Sequence, residues 1–219
     1  MSQPGAKHLS AMKASVFLAA LIPLSLLIMD ALNENLGANP VEAITHRTGD
    51  WVLNFLLITL AVTPLRKITG WHWLLRIRRM LGLYAFFYVL LHFTTYIWLD
   101  RFFVFDEIGK DIAKRPYITV GFTCFLLLIP LAVTSTNAMV RRLGAKRWQR
   151  LHKMIYGIAI GGVLHYLWLV KSDIVVPLAY GLVLFLLLVL RAPFVTKSLL
   201  TIRSRVNPPV PSPTIPGQT

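Results

Sequence analysis

The sequence predicts an all-α fold, an integral membrane bundle of six transmembrane helices. Hydrophobic residues make up 56% of the 219 positions, and the mean hydropathy is +0.62. Only 15% of the residues are charged, whereas soluble domains carry about a quarter. The charges also fall in clusters separated by long apolar runs, which is the pattern that repeated membrane spans produce.

Six uncharged or nearly uncharged runs are the predicted spans. In chain order they cover residues 14–29, 51–65, 80–99, 116–140, 154–170 and 174–190. A helix needs about 20 residues to cross the hydrocarbon, so the two short first runs require flanking basic residues to snorkel. The first run also resembles a signal peptide. It contains Pro23 and lacks a clear small-residue cleavage site, so we expect an uncleaved span.

The domain organisation follows from these runs. We expect one membrane domain over residues 13–195, preceded by a short cytoplasmic tail over residues 1–12. Residues 196–219 are rich in proline and poor in large apolar side chains, which predicts a mostly disordered cytoplasmic tail.

The distribution of charge predicts the orientation. One side of the predicted bundle carries seventeen of the 23 Lys and Arg residues and no acid, whereas the other side carries all nine acids. Basic loops stay in the cytoplasm, so both termini are predicted to be cytoplasmic. Because topology explains the net charge of +14, nucleic-acid binding is not expected. All acids are expected in loops or at span edges, which disfavours proton-coupled transport and a Ser–His–acid site.

Two histidines are the strongest candidates for chemistry, because ionisable residues inside a span are rare and usually functional. At 1.5 Å per residue, His92 lies about 20 Å beyond Arg79, and His165 lies about 22 Å beyond Arg150. Their helices run in the same direction, so both imidazoles are expected at one depth. Two neutral imidazoles facing each other are the ligands that six-coordinate b-type haem requires.

A third histidine, His152, is expected close to the inner surface. It lies about 140° around the helix axis from His165, so the two cannot serve the same group. It is either an interfacial side chain or a ligand of a second haem. Arg78 and Arg79 occupy the partner positions on the third span, so that haem would need His72 or a water as its other ligand.

Other residues near these histidines have two interpretations. Gly157 and Gly161 form a small-xxx-small pattern that indicates close helix packing or room for a porphyrin edge. Tyr84 and Tyr88 precede His92 at four-residue steps and either form an aromatic core or line its pocket. Cys124 is alone in the chain, so it forms no intramolecular disulfide and holds no iron–sulfur cluster.

Several segments resemble the MsrQ family, formerly called YedZ. They are RRMLGLYAFFYVLLH (78–92), RPYITVGF (115–122), TSTNAM (134–139), LGAKRWQRLHKMIY (143–156) and HYLW (165–168). The resemblance covers roughly residues 10–195 and implies the ferric-reductase-like transmembrane domain shared with the NADPH oxidases.

The resemblance implies an electron-transfer subunit of the bacterial inner membrane, with no substrate site of its own. Electrons would come from the quinone pool or a flavin reductase. They would pass to a periplasmic molybdopterin methionine sulfoxide reductase, MsrP, which repairs oxidised periplasmic proteins. The resemblance also implies His92, His152 and His165 as metal ligands, one haem b or two, and FMN. The wider group carries two histidines on the third span, whereas this chain carries one.

Arginines on the inner side have a topological and a functional interpretation. Arg78 and Arg79 begin the helix that carries His92, so they are the best candidates to bind an anion. That anion would be an FMN phosphate, a haem propionate or an acidic donor protein. Two other functions remain open: a stand-alone ferric or quinone reductase of the same fold, and a non-redox membrane transporter or assembly protein.

Overall fold

The computed structural model describes residues 6–170 and 172–192, and every regular element in that part of the chain is helical. The helices are α1 (Ala6–Leu32), α2 (Pro40–Thr69), α3 (Leu74–Thr95), α4 (Phe105–Lys114), α5 (Pro116–Val133), α6 (Asn137–Leu143), α7 (Ala145–His152), α8 (Ile155–Leu169) and α9 (Val175–Val189). A π-helical turn, Tyr96–Asp100, continues α3. The all-α prediction is confirmed.

Four helices in the described part are long and apolar enough to cross a membrane. They are α1, α2, α3 with its π-helical turn, and α5. The helices α8 and α9 have 15 residues each. At that length a helix extends about 22 Å, which is less than the hydrocarbon thickness of about 30 Å. The structure therefore shows a membrane-type helical bundle with four such helices, and the count of six stays a prediction.

The second span begins earlier than its apolar run indicates. Pro40 opens α2, and the side chain of Asn39 accepts a hydrogen bond from the backbone N–H of Glu42 at 3.3 Å. An N-cap followed by proline is a strong start signal that overrides the polar sequence after it. Asp50 therefore lies within α2, directly before the apolar run, rather than in a loop.

The fourth predicted run, 116–140, is not one helix. The helix α5 ends at Val133, and the hydroxyl of Thr134 donates to the carbonyl of Pro130 at 2.6 Å. Thr136 then caps α6, because its side chain accepts from the N–H of Met139 at 3.2 Å. Threonine side chains that bond nearby backbone compete with the helix at this point, so the apolar run breaks.

Two helix pairs form most of the core. The helix α2 packs along α3, and α5 packs along α8. Ala85 is completely buried in the core formed by α2 and α3, whereas Leu60 of α2 is completely buried in a second cluster with Ala159 of α8 and Leu184 of α9. Tyr84 and Tyr88 donate from their hydroxyls to the α1 carbonyls of Phe17 and Ala20, each at 2.9 Å. Both tyrosines thus belong to the aromatic core, and neither lines the cavity that contains His92.

The bundle has two chemically distinct ends. Asp30, Asp100 and Asp111 lie at the end where α2 and α5 begin, which we call the acidic end. Arg66 and Arg78 lie at the other end, where α2 ends and α3 begins, which we call the basic end. The helix α1 begins at Ala6, inside the segment predicted as a tail. The predicted C-terminal tail, 196–219, lies outside the described residues.

Candidate functional site

A cavity lies between the two helix pairs, toward the acidic end. His92 from α3 and His165 from α8 both line it. Most of the lining is apolar and includes Val52, Leu53, Leu56, Val89, Phe93, Phe122, Phe125, Leu128, Ile158 and Leu169, and polar residues line the remainder. Such a lining favours a flat apolar ligand held by a few polar groups.

The two imidazole rings face one another across this cavity. Their centroids are 6.1 Å apart, and their planes are inclined at 85°. A metal–imidazole bond is about 2 Å long, and a ring nitrogen lies about 1.1 Å from the ring centre. Two imidazoles that bind one metal from opposite sides therefore have centroids about 6 Å apart. The observed separation fits that arrangement.

A backbone carbonyl fixes one nitrogen of each ring. The Nδ1 of His92 lies 2.9 Å from the carbonyl oxygen of Thr45, and the Nδ1 of His165 lies 2.7 Å from that of Tyr117. A carbonyl only accepts, so each Nδ1 carries the proton and donates it. Each Nε2 is then left unprotonated, with its lone pair available to a ligand. Histidines that bind a metal usually donate such a hydrogen bond from the ring nitrogen that does not contact the metal.

Glycines make room for both rings. A Cβ on Gly49 would lie 3.2 Å from Cε1 of His92, and a Cβ on Gly121 would lie 2.7 Å from Nδ1 of His165. Each glycine lies one helical turn after the residue whose carbonyl binds the same ring. The sequence reasoning missed both glycines.

The surroundings of His92 and of His165, which we call the two half-sites, are built alike. The carbonyl and its histidine are separated by 47 residues in the first pair and by 48 in the second. Both pairs combine a carbonyl, a glycine one turn later and a histidine on the partner helix. The near-equal separations, together with the glycine four residues after each carbonyl, are the sequence signal that could have identified both glycines.

The pattern of Gly157 and Gly161 serves helix packing. A Cβ on Gly161 would lie 2.5 Å from Sγ of Cys124 on α5, whereas one on Gly157 would meet nothing within 4 Å. Of the two glycines, only Gly161 is at a tight contact, and that contact is between α8 and α5. Neither of them lines the cavity with His165.

An ion-pair cluster closes the acidic end of the cavity. Asp111 of α4 accepts from Nη2 of Arg101 at 2.6 Å and from Nε of Arg115 at 3.1 Å. Both arginines line the cavity, and the hydroxyl of Tyr96 adds a bond to Asp111 at 3.2 Å. The Asp111 side chain is only 12% exposed. The two cations are thus held by a largely buried carboxylate.

His46, Asp50 and Tyr166 form a polar side of the same cavity. The side chain of Asp50 interacts electrostatically with Tyr166 and with His46. The rings of His46 and Tyr166 are 6.5 Å apart. The predicted second span, 51–65, leaves His46 outside it, whereas the early start of α2 includes His46 in the helix, and His46 lines the cavity.

His152 lies at the basic end, away from the paired imidazoles. Its ring stacks on Trp148 at 3.9 Å, and its Nε2 lies 3.0 Å from the hydroxyl of Thr134. Burial, with a contribution from Arg78 and Arg79, holds the pKa of His152 below its usual value of 6.5. The ring is therefore neutral at pH 7. The second histidine considered as its partner, His72, is exposed in the turn between α2 and α3.

The two arginines predicted to bind an anion have different surroundings. Arg79 is exposed and donates from Nη1 to the side-chain oxygen of Asn137. Arg78 is half-buried and interacts electrostatically with Arg66 and Arg191. Of the two, only Arg78 belongs to a group of converging cations.

The sequence that forms this helical bundle and its cavity matches the model of a known family of membrane proteins. The family model described as "Ferric reductase like transmembrane component" covers residues 48–163, which include His92 and Gly121. Within the described residues, no group of three or more His, Cys, Asp or Glu side chains is arranged to hold a metal ion.

Relatives with high sequence identity identify the family more specifically. The chain is 54% identical over 190 residues to the "Protein-methionine-sulfoxide reductase heme-binding subunit MsrQ" of Herminiimonas arsenicoxydans, covering 86% of this chain and 87% of that protein. The MsrQ of Azospira oryzae is 56% identical over 187 residues, covering 85% and 80%. The MsrQ of Xanthomonas campestris pv. campestris is 50% identical over 212 residues, covering 94% and 95%. The chain belongs to the MsrQ family. No solved structure matches it.

Proposed function

We propose that this chain holds haem b between His92 and His165 and carries electrons across the bacterial inner membrane. The observation that carries the proposal is the pair of facing imidazoles, 6.1 Å apart, each with its Nδ1 on a backbone carbonyl. The relatives are named as heme-binding subunits, which supports the same cofactor.

The residues around the cavity fit this group. Two neutral imidazoles are the donor set of a low-spin b-type haem, and the apolar lining suits a porphyrin. When bound, haem supplies reversible one-electron transfer. The carbonyls of Thr45 and Tyr117 keep the proton on Nδ1 and so increase the basicity of Nε2. Arg101 and Arg115 place positive charge at the cavity, where they suit carboxylate groups such as propionates.

The proposed electron acceptor is a periplasmic molybdopterin reductase of the MsrP type, which would reduce methionine sulfoxide in oxidised periplasmic proteins. The names of the relatives support a partner of this kind, because they describe a subunit of a methionine sulfoxide reductase. The proposed donor is the quinone pool or a flavin reductase. On this proposal the chain has no substrate site of its own.

The proposed topology has six spans and both termini in the cytoplasm. It makes α8 and α9 the fifth and sixth spans and places the acidic end on the periplasmic side. Its support is the segregation of all nine acids from seventeen of the 23 basic residues. The proposed haem then lies nearer the periplasm, the side where the acceptor would bind.

His152, Arg78 and Arg79 are proposed as secondary cofactor contacts on the cytoplasmic side. If Nε2 of His152 donates to Thr134, its Nδ1 is the nitrogen left for a second haem. FMN is proposed only from the family resemblance. Arg78 and Arg79 would then lie near its phosphate.

The test of the proposed function is the visible spectrum of purified variants. His92→Ala and His165→Ala should each remove most of the low-spin b-type absorbance while the protein still inserts into membranes. His72→Ala, an exposed histidine in a turn, is the control and should keep the full spectrum. Full haem content in both cavity variants would refute the ligand assignment.

A stand-alone reductase is the second candidate function, because the matching family is described as ferric-reductase-like. Activity assays on purified protein reduced with a quinol would distinguish a stand-alone reductase from an electron-transfer subunit. Reduction of ferric iron at the same rate with and without an MsrP-type partner would favour the stand-alone enzyme. Turnover of methionine sulfoxide only when the partner is present would favour the electron-transfer subunit.

A further inference from the structure

Three arginines from separate parts of the chain converge at the basic end. Arg66 lies near the end of α2, Arg78 near the start of α3, and Arg191 just after α9. Each is half-buried, and Arg78 interacts electrostatically with both of the others. Like charges repel one another, so this arrangement is unfavourable unless an anion compensates it.

Arg191 is fixed in place by two other helices. Its Nη1 donates to the hydroxyl of Tyr156 on α8 at 2.7 Å, and its Nη2 donates to the carbonyl of Leu60 on α2. Its guanidinium carbon also lies 5.3 Å from the centre of the Tyr156 ring. These contacts hold the guanidinium in one orientation, so it does not behave as a freely moving surface cation.

Two donors in this cluster are unused. The Nε of Arg66 and the Nε of Arg191 are buried, and neither has a hydrogen-bond partner within residues 6–170 and 172–192. A buried donor on a charged group is costly to leave unpaired. Two such donors in one cluster indicate that a group outside the chain accepts from them.

The chain itself supplies no acidic side chain for this cluster. The sequence contains no Asp or Glu between Asp50 and Asp100, none between Asp111 and Asp173, and none after Asp173. Those four acids belong to the opposite end of the bundle or to the connection before α9. No acidic side chain of the chain is therefore available to compensate the three positive charges.

We propose that Arg66, Arg78 and Arg191 form a binding site for a phosphate-bearing anion at the basic end. Guanidinium groups suit phosphate because their planar N–H donors bind two oxygens at once. Basic pockets between membrane helices bind the head groups of acidic phospholipids in this way. A phosphorylated soluble molecule presents the same chemistry. The site lies at the other end of the bundle from the paired imidazoles. With FMN as the anion the inference rests on the FMN binding proposed above, whereas with a lipid head group it is independent of the proposed function.

The test uses full-length protein purified in a neutral detergent. Native mass spectrometry and thermal unfolding would be measured with phosphatidylglycerol against phosphatidylcholine, and with FMN against riboflavin. Binding that requires the acidic lipid identifies a head group, and binding that requires FMN identifies a soluble phosphate. Either result supports the site if the arginine substitutions weaken that binding. If neither the acidic lipid nor FMN binds, the proposal is overturned.

Matched variants assign the binding to this cluster. Arg66→Gln and Arg191→Gln should each weaken the phosphate-dependent binding about tenfold to a hundredfold, the range for one charge-assisted hydrogen bond. Arg142→Gln is the control, since it removes an exposed positive charge from α6. Since Arg191 also contacts α2 and α8, Arg66→Gln tests the site without removing those contacts. Equal binding by the Arg66 and Arg142 variants would overturn the proposal.

Discussion

The ring of His165 rests directly on the backbone of Gly121. A Cβ at that position would lie 2.7 Å from Nδ1 and 2.9 Å from Cε1 of the imidazole. The neighbouring carbonyl of Tyr117 binds the same Nδ1 at 2.7 Å. The ring therefore cannot retreat from an added methyl group without losing its hydrogen bond. On the other half-site the contact is looser, since a Cβ on Gly49 would lie 3.2 Å from His92.

Substituting Gly121→Ala should displace the His165 ring and lower haem occupancy several-fold. Gly49→Ala should have a smaller effect, because a contact of 3.2 Å needs only a small adjustment. Gly157→Ala is the control on the helix of His165, where a Cβ meets nothing within 4 Å. The measurement is the ratio of low-spin haem absorbance to protein. Equal ratios for the Gly121 and Gly157 variants would contradict the close contact.

Substituting Asp111→Asn should destabilise the acidic end by about 1–3 kcal/mol, because the charged donors of Arg101 and Arg115 lose their carboxylate. Asp106→Asn removes an exposed carboxylate of the same helix, whose ion pair with Lys110 is worth about 0.5 kcal/mol or less. Thermal unfolding in detergent measures both. Similar losses for the two variants would show that the Asp111 cluster does not stabilise the fold.

His152 should make the protein more sensitive to acid. Its pKa is lowered in the folded state by burial and by Arg78 and Arg79, whereas in the unfolded state it titrates near 6.5. Below that pH the unfolded state binds more protons, so this histidine's contribution to stability is lost as pH falls from 6.5 toward the folded pKa. Thermal unfolding from pH 7 to 5 should therefore show a smaller decline for His152→Gln. A decline equal to that of the wild type would contradict the lowered pKa.

Reporter fusions test the orientation. A fusion after Asp106 should report the periplasm, and fusions after Arg147 or at the C-terminus should report the cytoplasm. The physical reason is the concentration of basic residues on one side of the bundle. A periplasmic C-terminus would mean that the number of spans is odd or that the first one is cleaved. This outcome would leave the cavity geometry unaffected, since both histidines would keep their neighbours.

Residue spacing was sufficient to predict which histidines come together. Helical rise places His92 and His165 at one depth, and the structure places them in one cavity. The supporting groups could not be predicted in the same way. The carbonyls of Thr45 and Tyr117 carry no side-chain signal, and their role depends on how one helix is aligned along its partner.

The positions where helices begin and end account for the other differences between the sequence predictions and the structure. An apolar run defines the hydrocarbon-facing part of a helix, whereas caps define where the helix begins and ends. Asn39 and Pro40 extend α2 far beyond its apolar run, which brings His46 and Asp50 to the cavity. The arginine cluster at the basic end was partly predicted, since Arg78 was named as a candidate to bind an anion. Arg66 and Arg191 were missed because their proximity depends on how α2 and α9 pack.

The separate anchoring of each imidazole has a consequence for the cost of binding the proposed haem. Both partners of the His92 contact lie in the α2–α3 pair, and both partners of the His165 contact lie in the α5–α8 pair. Each helix pair thus orients its own imidazole without help from the other pair. For the proposed haem, little further ordering of these two side chains would then oppose binding.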